Sequence, residues 1–246
     1  MSVLRLEAVS KSFGGLFAVA EVSLTMQAGE RRALLGPNGS GKTTLFNMIG
    51  GQTKPTSGKI FLFGNNATDD PPHRRAHSGL SRTFQITSLF PNLSVVENIH
   101  LAVMARSPIR YAPHRAAESY PGIMREVEEL LADWRFAGSR ERLVRDLSYG
   151  DQRKLEIAMA LAHRPRLLLL DEPTAGLSAA ETSDLIEVIK APGPEVSILM
   201  IEHDVDVALD VADRISILDR GRIVAEGTAI EVRSNQAVQA IYFGGS

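Results

Sequence analysis

The apolar positions of this 246-residue chain follow two rhythms. Short β-type runs alternate with longer stretches whose apolar residues recur every three or four positions, which predicts an α/β domain with a largely parallel sheet. Val3–Leu6 and Val22–Met26 read as strands; in the second, Val22, Leu24 and Met26 alternate with Glu21, Ser23 and Thr25, as one buried face requires. Arg32–Leu35 runs into a glycine-rich loop and a helix from about Thr43, and Lys59–Phe63 follows the turn signal Thr56-Ser57-Gly58. From about Ile86 to His163 the strand signals fade. Val95–Ala105 reads as helix, and Ile123, Val127, Leu130, Leu131 and Trp134 form a stripe at helical spacing, so Trp134 is assigned to the core and given no ligand role. Pro108, Pro113 and Pro121 punctuate a loop between these helices, and the middle segment is expected to be an inserted helical lobe. Strands return at Leu167–Leu170, Ser197–Met200 and Arg214–Leu218, with helices at Ala179–Ile189 and Val205–Val211. Asp219-Arg220-Gly221 predicts a hairpin turn into Ile223–Ala225.

Composition narrows the function classes. The length allows one or two domains. Lys and Arg number 27 against 29 Asp and Glu, a net charge of −2, and no basic run stands ready to neutralise a row of phosphates, which argues against nucleic acid as a partner. With no cysteine there is no disulfide framework, cysteine-bound zinc or thiol nucleophile. Met-Ser-Val-Leu-Arg-Leu-Glu lacks a basic-then-apolar signal, and the longest apolar runs fall far short of the ~20 residues that cross a bilayer, so the chain is not expected to span a membrane by itself.

The chemistry enters at Gly36-Pro37-Asn38-Gly39-Ser40-Gly41-Lys42-Thr43, which fits G-x-x-x-x-G-K-[ST] between a strand and a helix. Glycines there let backbone amides curl around phosphate oxygens, and the positive end of the following helix adds to the attraction. Lys42 would reach the β- and γ-phosphates, and the Thr43 hydroxyl would complete a Mg²⁺ shell. Arg166-Leu167-Leu168-Leu169-Leu170-Asp171-Glu172 is a buried strand tipped by two acids. Asp171 would face the Mg²⁺ from the Thr43 side, and Glu172 would point at the γ-phosphate.

Leu147-Ser148-Tyr149-Gly150-Asp151-Gln152, heading a helix just before that strand, separates this chain from other nucleotide hydrolases. With Phe13, Gln85, Leu177-Ser178-Ala179-Ala180-Glu181 and Glu202-His203-Asp204 in order around it, the chain resembles the ATP-binding-cassette (ABC) ATPases. The resemblance implies a P-loop NTPase (RecA-like) core with an N-terminal antiparallel β subdomain and an inserted α-helical subdomain. It divides one cassette into core residues 1–85 and 163–246 and helical residues 86–162. It implies ATP and Mg²⁺ as cofactors: Phe13 stacks on adenine; Gly36, Pro37, Asn38, Gly39, Ser40, Gly41, Lys42, Thr43 and Thr44 cradle the phosphates; Thr43, Gln85 and Asp171 serve the metal. Glu172 is the implied general base, His203 contacts the γ-phosphate, and Lys42 and Gln85 complete the catalytic set. Ser148 and Gly150 serve an ATP held by a second cassette, identical or a sister chain. The implied assembly adds two membrane permease subunits and, indirectly, a periplasmic or extracellular solute-binding protein, at the cytoplasmic face of the plasma (inner) membrane.

Lys11-Ser12-Phe13-Gly14-Gly15-Leu16, Phe46-Asn47-Met48-Ile49-Gly50-Gly51, Arg82-Thr83-Phe84-Gln85 and Ile241-Tyr242-Phe243-Gly244 resemble the uptake ATPases for branched-chain or hydrophobic amino acids, within which related systems carry amides, urea or aromatic acids. The lipopolysaccharide-export ATPase shares the layout, and Arg82-Thr83-Phe84 favours the uptake branch. A soluble ABC ATPase of repair, assembly or translation is the other class; a single cassette without a long coiled-coil insert argues against it. Departures from the general pattern are Tyr149 for a glycine, Asp151 where glutamine is usual, and Glu181 in the place of the usual aspartate. His73 and His77 are four apart but lack a third ligand, and read as a solvated basic segment. Glu126, Glu128 and Glu129 read as a wet helix face, while Arg74, Arg75 and Arg82 are candidates to touch lipid headgroups or the membrane partner, whose short helix would lie in a groove around Ile86–Asn98.

Overall fold

The computed structural model describes residues 1–83, 89–106 and 121–234. In chain order its elements begin β1 (Ser2–Phe13), β2 (Leu16–Gln27), β3 (Arg31–Leu35), α1 (Lys42–Gly50), β4 (Ser57–Leu62), β5 (Asn65–Asn66), α2 (Pro72–Ser78) and β6 (Leu80–Arg82). They continue with α3 (Val95–Arg106), α4 (Pro121–Asp133), α5 (Tyr149–Ala162), β7 (Leu167–Asp171), α6 (Ala179–Lys190), β8 (Ser197–Ile201), α7 (Val205–Val211), β9 (Arg214–Asp219), β10 (Arg222–Gly227) and α8 (Ala229–Ser234). Two compact units result. The first takes Met1–Arg82, Arg166–Ala175 and the described residues from Pro192 on; the second takes the described residues of 83–165 together with Gly176–Ala191.

In the first unit, β2-β1-β4-β5 form an antiparallel sheet. The hairpin β1–β2 turns at Gly14-Gly15, both at positive φ (54° and 92°), the two-residue primed geometry that matches strand twist and that glycine adopts without Cβ strain. The two strands run well beyond the Val3–Leu6 and Val22–Met26 segments legible in the sequence. Register shifts at Leu6/Val9 and Val9/Lys11 break the two-residue period there, which hides the rest of the pairing from a pattern argument.

The second sheet has the order β10-β9-β3-β8-β7-β6, with parallel pairing from β9 to β6 and β10 antiparallel at the edge. Leu167 to Leu170 are wholly buried, as a parallel strand covered on both faces must be, which is why the sequence shows a continuous apolar run there. The β9–β10 turn is the predicted one, with Arg220 and Gly221 both at positive φ. Because β3, β8 and β7 are parallel neighbours, their carboxyl ends emerge along one edge. Leu35 leads into the glycine loop, Asp171 pairs in register with Ile201, and Glu172 and Glu202-His203 follow directly.

In the second unit Val95, Ile99, Val103, Val127, Leu131 and Trp134 are buried together with Leu155, Ile157 and Ala158 of α5, so the stripe ending at Trp134 is core.

Three expectations about charged residues are corrected. Arg75 is 1% exposed, and its guanidinium donates to the carbonyls of Met48 (2.6 Å), Ile49 (2.7 Å), Ala67 (2.7 Å), Asp70 (2.9 Å) and Thr68 (3.3 Å). It closes the end of α1 and is no lipid contact; in α2 it faces inward while Arg74 and both histidines stay exposed. Arg82 is largely covered and paired with the buried Asp171. Glu126 is mostly buried between Arg106 (2.6 Å) and Arg164 (3.1 Å), whereas Glu128 and Glu129 do face water. Helical spacing reports which positions share a face, and a long charged side chain can still reach from such a face to a buried partner.

Candidate functional site

The loop between β3 and α1 is shaped by its glycines. At Gly41, φ is 106° and an added Cβ would lie 2.2 Å from the Ala18 carbonyl oxygen, so the backbone passes where a side chain cannot; Gly39 leaves open space on its side. Gly221 donates its amide to Ser40 O (2.8 Å), tying the β9–β10 turn to the loop. α1 starts at Lys42 with no side chain capping its amino end and no acid in its first turn, so those amides are left for an anion. The Ser40 hydroxyl is buried and has no hydrogen-bond partner among the described residues. Lys42 is 5% exposed, with Nζ donating to Gly36 O (2.7 Å) and Pro37 O (3.0 Å). Burial lowers its pKa, against the opposing pull of Glu172 and then Asp171.

At the neighbouring strand ends, Asp171 Oδ2 accepts from Arg82 Nη2 at 3.0 Å in a partly buried pair. The same guanidinium reaches Asn47 Oδ1 (2.8 Å) and Gln52 Oε1 (3.1 Å). Glu172 sits at φ +48°, its amide held by Ile201 O (3.0 Å), and its Oε1 lies 2.8 Å from His203 Nε2. That left-handed turn is what swings the carboxylate off the strand axis toward the histidine. Asp204 caps α7 through the amides of Asp206 (2.8 Å) and Val207 (3.3 Å).

Within the second unit, Ser148 is the N-cap of α5, its hydroxyl accepting from the Asp151 amide (3.1 Å). Tyr149 is half exposed, and the Asp151 carboxylate lies 3.7 Å from Lys154. Glu181 stands in the first turn of α6. It forms a capping box with Ser178, and its carboxylate also accepts from the Gly150 amide; the bonds from Ser178 hold it below the ordinary carboxylate range. Phe13 ends β1 with 56% exposure and the Lys11 ammonium 5.2 Å from its ring centre. Gln85 lies outside the described residues.

The residues fit a nucleotide with its magnesium ion. An uncapped helix start, a buried serine hydroxyl and a lysine turned into the loop suit phosphate, and the exposed Thr43 with the Asp171 carboxylate offers hard oxygen ligands. Pattern reasoning did not find two neighbours of this site, the partnership of Arg82 with Asp171 and the bond from the Thr174 hydroxyl to the Glu202 carboxylate (2.9 Å). Each depends on which strand lies beside which, and one sequence carries no such signal.

The profile of the ABC transporter family matches residues 19–175. Among curated relatives, the high-affinity branched-chain amino acid transport ATP-binding protein BraF of Pseudomonas aeruginosa is 36% identical, with 98% of each chain covered. LivG of Escherichia coli K12, of the same description, is 36% identical at the same coverage. The lipopolysaccharide export system ATP-binding protein LptB of Haemophilus influenzae is 35% identical, covering 99% of this chain and 98% of its own. A solved ATP-binding cassette of an ABC transporter in its ADP conformation superposes with TM-score 0.82 at 29% identity, covering 99% of both chains. A dimeric cassette in a post-hydrolysis state bound to ADP and Pi gives 0.75 at 26% identity over 92% of this chain and 98% of that one. With phosphate loop, acid-tipped strand and signature helix standing on the cassette fold, this chain belongs to the ABC transporter family as one of its ATP-binding cassettes.

Proposed function

We propose that this chain is the ATP-hydrolysing subunit of an importer for branched-chain or other hydrophobic amino acids, or for related amides or acids. The observation that carries the hydrolytic part is the 2.8 Å pairing of Glu172 with His203 at the ends of adjacent parallel strands, on the same sheet edge as the phosphate loop. Near-full-length similarity to BraF and LivG supports the solute class.

In this reading the amides of residues 36–44 and the Lys42 ammonium bind the phosphates, and Phe13 stacks on the adenine. Thr43, Asp171 and Gln85 would hold Mg²⁺, which would supply neutralisation of the charge developing on the phosphate oxygens. Glu172 accepts a proton from water as its oxygen attacks the γ-phosphorus and the bond to ADP breaks; His203 holds that carboxylate and contacts the γ-phosphate. Ser148 and Gly150 would close over the ATP of a second cassette. The pair would then drive two membrane permease subunits at the cytoplasmic face, with a solute-binding protein delivering the cargo. No helix among the described residues is long and apolar enough to cross a membrane.

Glu172→Gln is expected to lower turnover by about 10²–10⁴-fold, the usual worth of a positioned base, while leaving ATP bound. Near-normal phosphate release by that variant refutes the assignment. The similarity to LptB keeps lipopolysaccharide-type export as a second reading. ATP-dependent accumulation of leucine in vesicles reconstituted with the cognate permeases distinguishes the two.

A further inference from the structure

Next to the Glu172–His203 pair the chain buries a third acid that the proposed mechanism does not use. Glu202 is 2% exposed. Its Oε1 accepts from the Thr174 hydroxyl (2.9 Å) and the Thr174 amide (3.3 Å), and its Oε2 accepts from the His203 amide (3.2 Å). Three donors from two segments therefore converge on one carboxylate. One segment is the turn Glu172–Ala175, closed by the Ala175 amide on Glu172 O; the other is the exit of β8 that carries His203.

The location gives this convergence its meaning. The ladder between β7 and β8 ends with Asp171 opposite Ile201 and the Glu172 amide on Ile201 O. Past that point Glu172 leaves the strand at φ +48°, a conformation that persists in a residue bearing a side chain only where the surroundings impose it. The Glu202 carboxylate bridges the two backbones there. The donor set also explains why an acid is needed. A carboxylate offers acceptors on both oxygens, whereas glutamine would turn an N–H toward Thr174 or toward the His203 amide and lose one side of the bridge. Burial raises the affinity of Glu202 for a proton above the ordinary carboxylate value, and the bonds from Thr174 and then His203 oppose that rise.

We propose that Glu202 is a positioning residue for hydrolysis: its carboxylate staples the turn bearing Glu172 to the strand exit bearing His203 and so holds Glu172 Oε1 at bonding distance from His203 Nε2. This rests on the proposed roles of Glu172 and His203. A base displaced by about 1 Å costs on the order of 10²-fold in rate while substrate binding, made elsewhere, is spared.

The test is steady-state MgATP hydrolysis by the full chain. Glu202→Gln is expected to lower kcat by about 10- to 100-fold with KM changed less than about threefold. In a His203→Ala background the same substitution is expected to reduce the residual rate less than about twofold, because no pair is left to position. Thr174→Val deletes one of the three donors and should give a smaller loss of kcat in the same direction, so the test stands even if Glu202→Gln folds poorly. Both variants should shift the ¹⁵N resonances of the His203 imidazole. Unchanged kcat in Glu202→Gln and Thr174→Val overturns the proposal, as does a full multiplicative loss in the His203→Ala background, which would mark a merely structural role. If Glu172→Gln itself hydrolyses normally, the functional reading fails; if it is inactive while Glu202→Gln is normal, only the staple fails.

Discussion

Arg75 is the sharpest place to test the structure against a surface reading of the sequence. Replacing it with Met keeps most of the aliphatic stem and removes a guanidinium that makes four bonds of 2.6–2.9 Å to the carbonyls of Met48, Ile49, Ala67 and Asp70. Bonds to a charged group are individually worth about 1.5–3 kcal/mol, but burying the guanidinium offsets part of that, the effect that also lowers its pKa. At a net value of about 1 kcal/mol per bond, Arg75→Met should cost about 4 kcal/mol. For a chain of this size that corresponds to a fall in Tm of about 8–16 °C. The control is Arg74→Met. That side chain is 70% exposed and lies 3.7 Å from Asp70, an exposed pair worth about 0–1 kcal/mol. Urea unfolding followed by circular dichroism reads both variants, and sedimentation with anionic vesicles checks the lipid reading. A cost for Arg75→Met below about 1 kcal/mol, or equal to that of Arg74→Met, refutes the buried clamp. Loss of vesicle binding on mutating Arg75 alone, with stability intact, would restore the surface role.

Two further outcomes follow from the site. Gly41→Ala places a methyl against the Ala18 carbonyl at a backbone angle of 106°, and should weaken ATP binding by at least about tenfold, or ~1.4 kcal/mol. Gly39→Ala, which shares the positive φ (77°) but meets no atom within 4 Å, should lose less in the same fluorescent-nucleotide titration; equal losses would show that the close approach at Gly41 does not matter. The raised proton affinity of Glu202 means that the folded protein binds a proton at a pH where the unfolded chain has already lost it. Folding stability therefore improves as pH falls through the folded-state value toward the ordinary glutamate value of 4.5, below which the gain is complete. Denaturation curves of wild type and Glu202→Gln should show that slope only in the wild type; parallel pH profiles would refute it.

Much of this site is legible in the sequence because its parts are local. The phosphate loop needs only glycines, Lys42 and Thr43 between a strand and a helix. The acid tip needs only a strand apolar enough to be buried on both sides, which fixes where Asp171 and Glu172 emerge. Ser148 announces a helix start by being an N-cap residue, and Trp134 declares its burial by lying on a stripe. Other features are illegible for physical reasons. The β1–β2 hairpin disappears into register shifts, and β6 is three residues long, too short for any period to show. Arg75, Arg82 and Glu126 look like surface charge because composition prices each residue alone, whereas burial of a charge is settled by partners distant in sequence.

What the sequence alone determined is the chemistry available: a phosphate-binding loop, two acids on a strand end, a signature helix and a histidine, in an order that assigns the family. What only the tertiary structure decided is which of these groups act on one another. Glu172 and His203 are 31 residues apart, and Arg82 and Asp171 are 89 apart. They meet because parallel pairing sets β6 against β7 and β7 against β8 in one register, with the same end of each strand at the same edge. Hydrogen bonding between strands, a non-local choice among many possible neighbours, is what converts a set of motifs into a site.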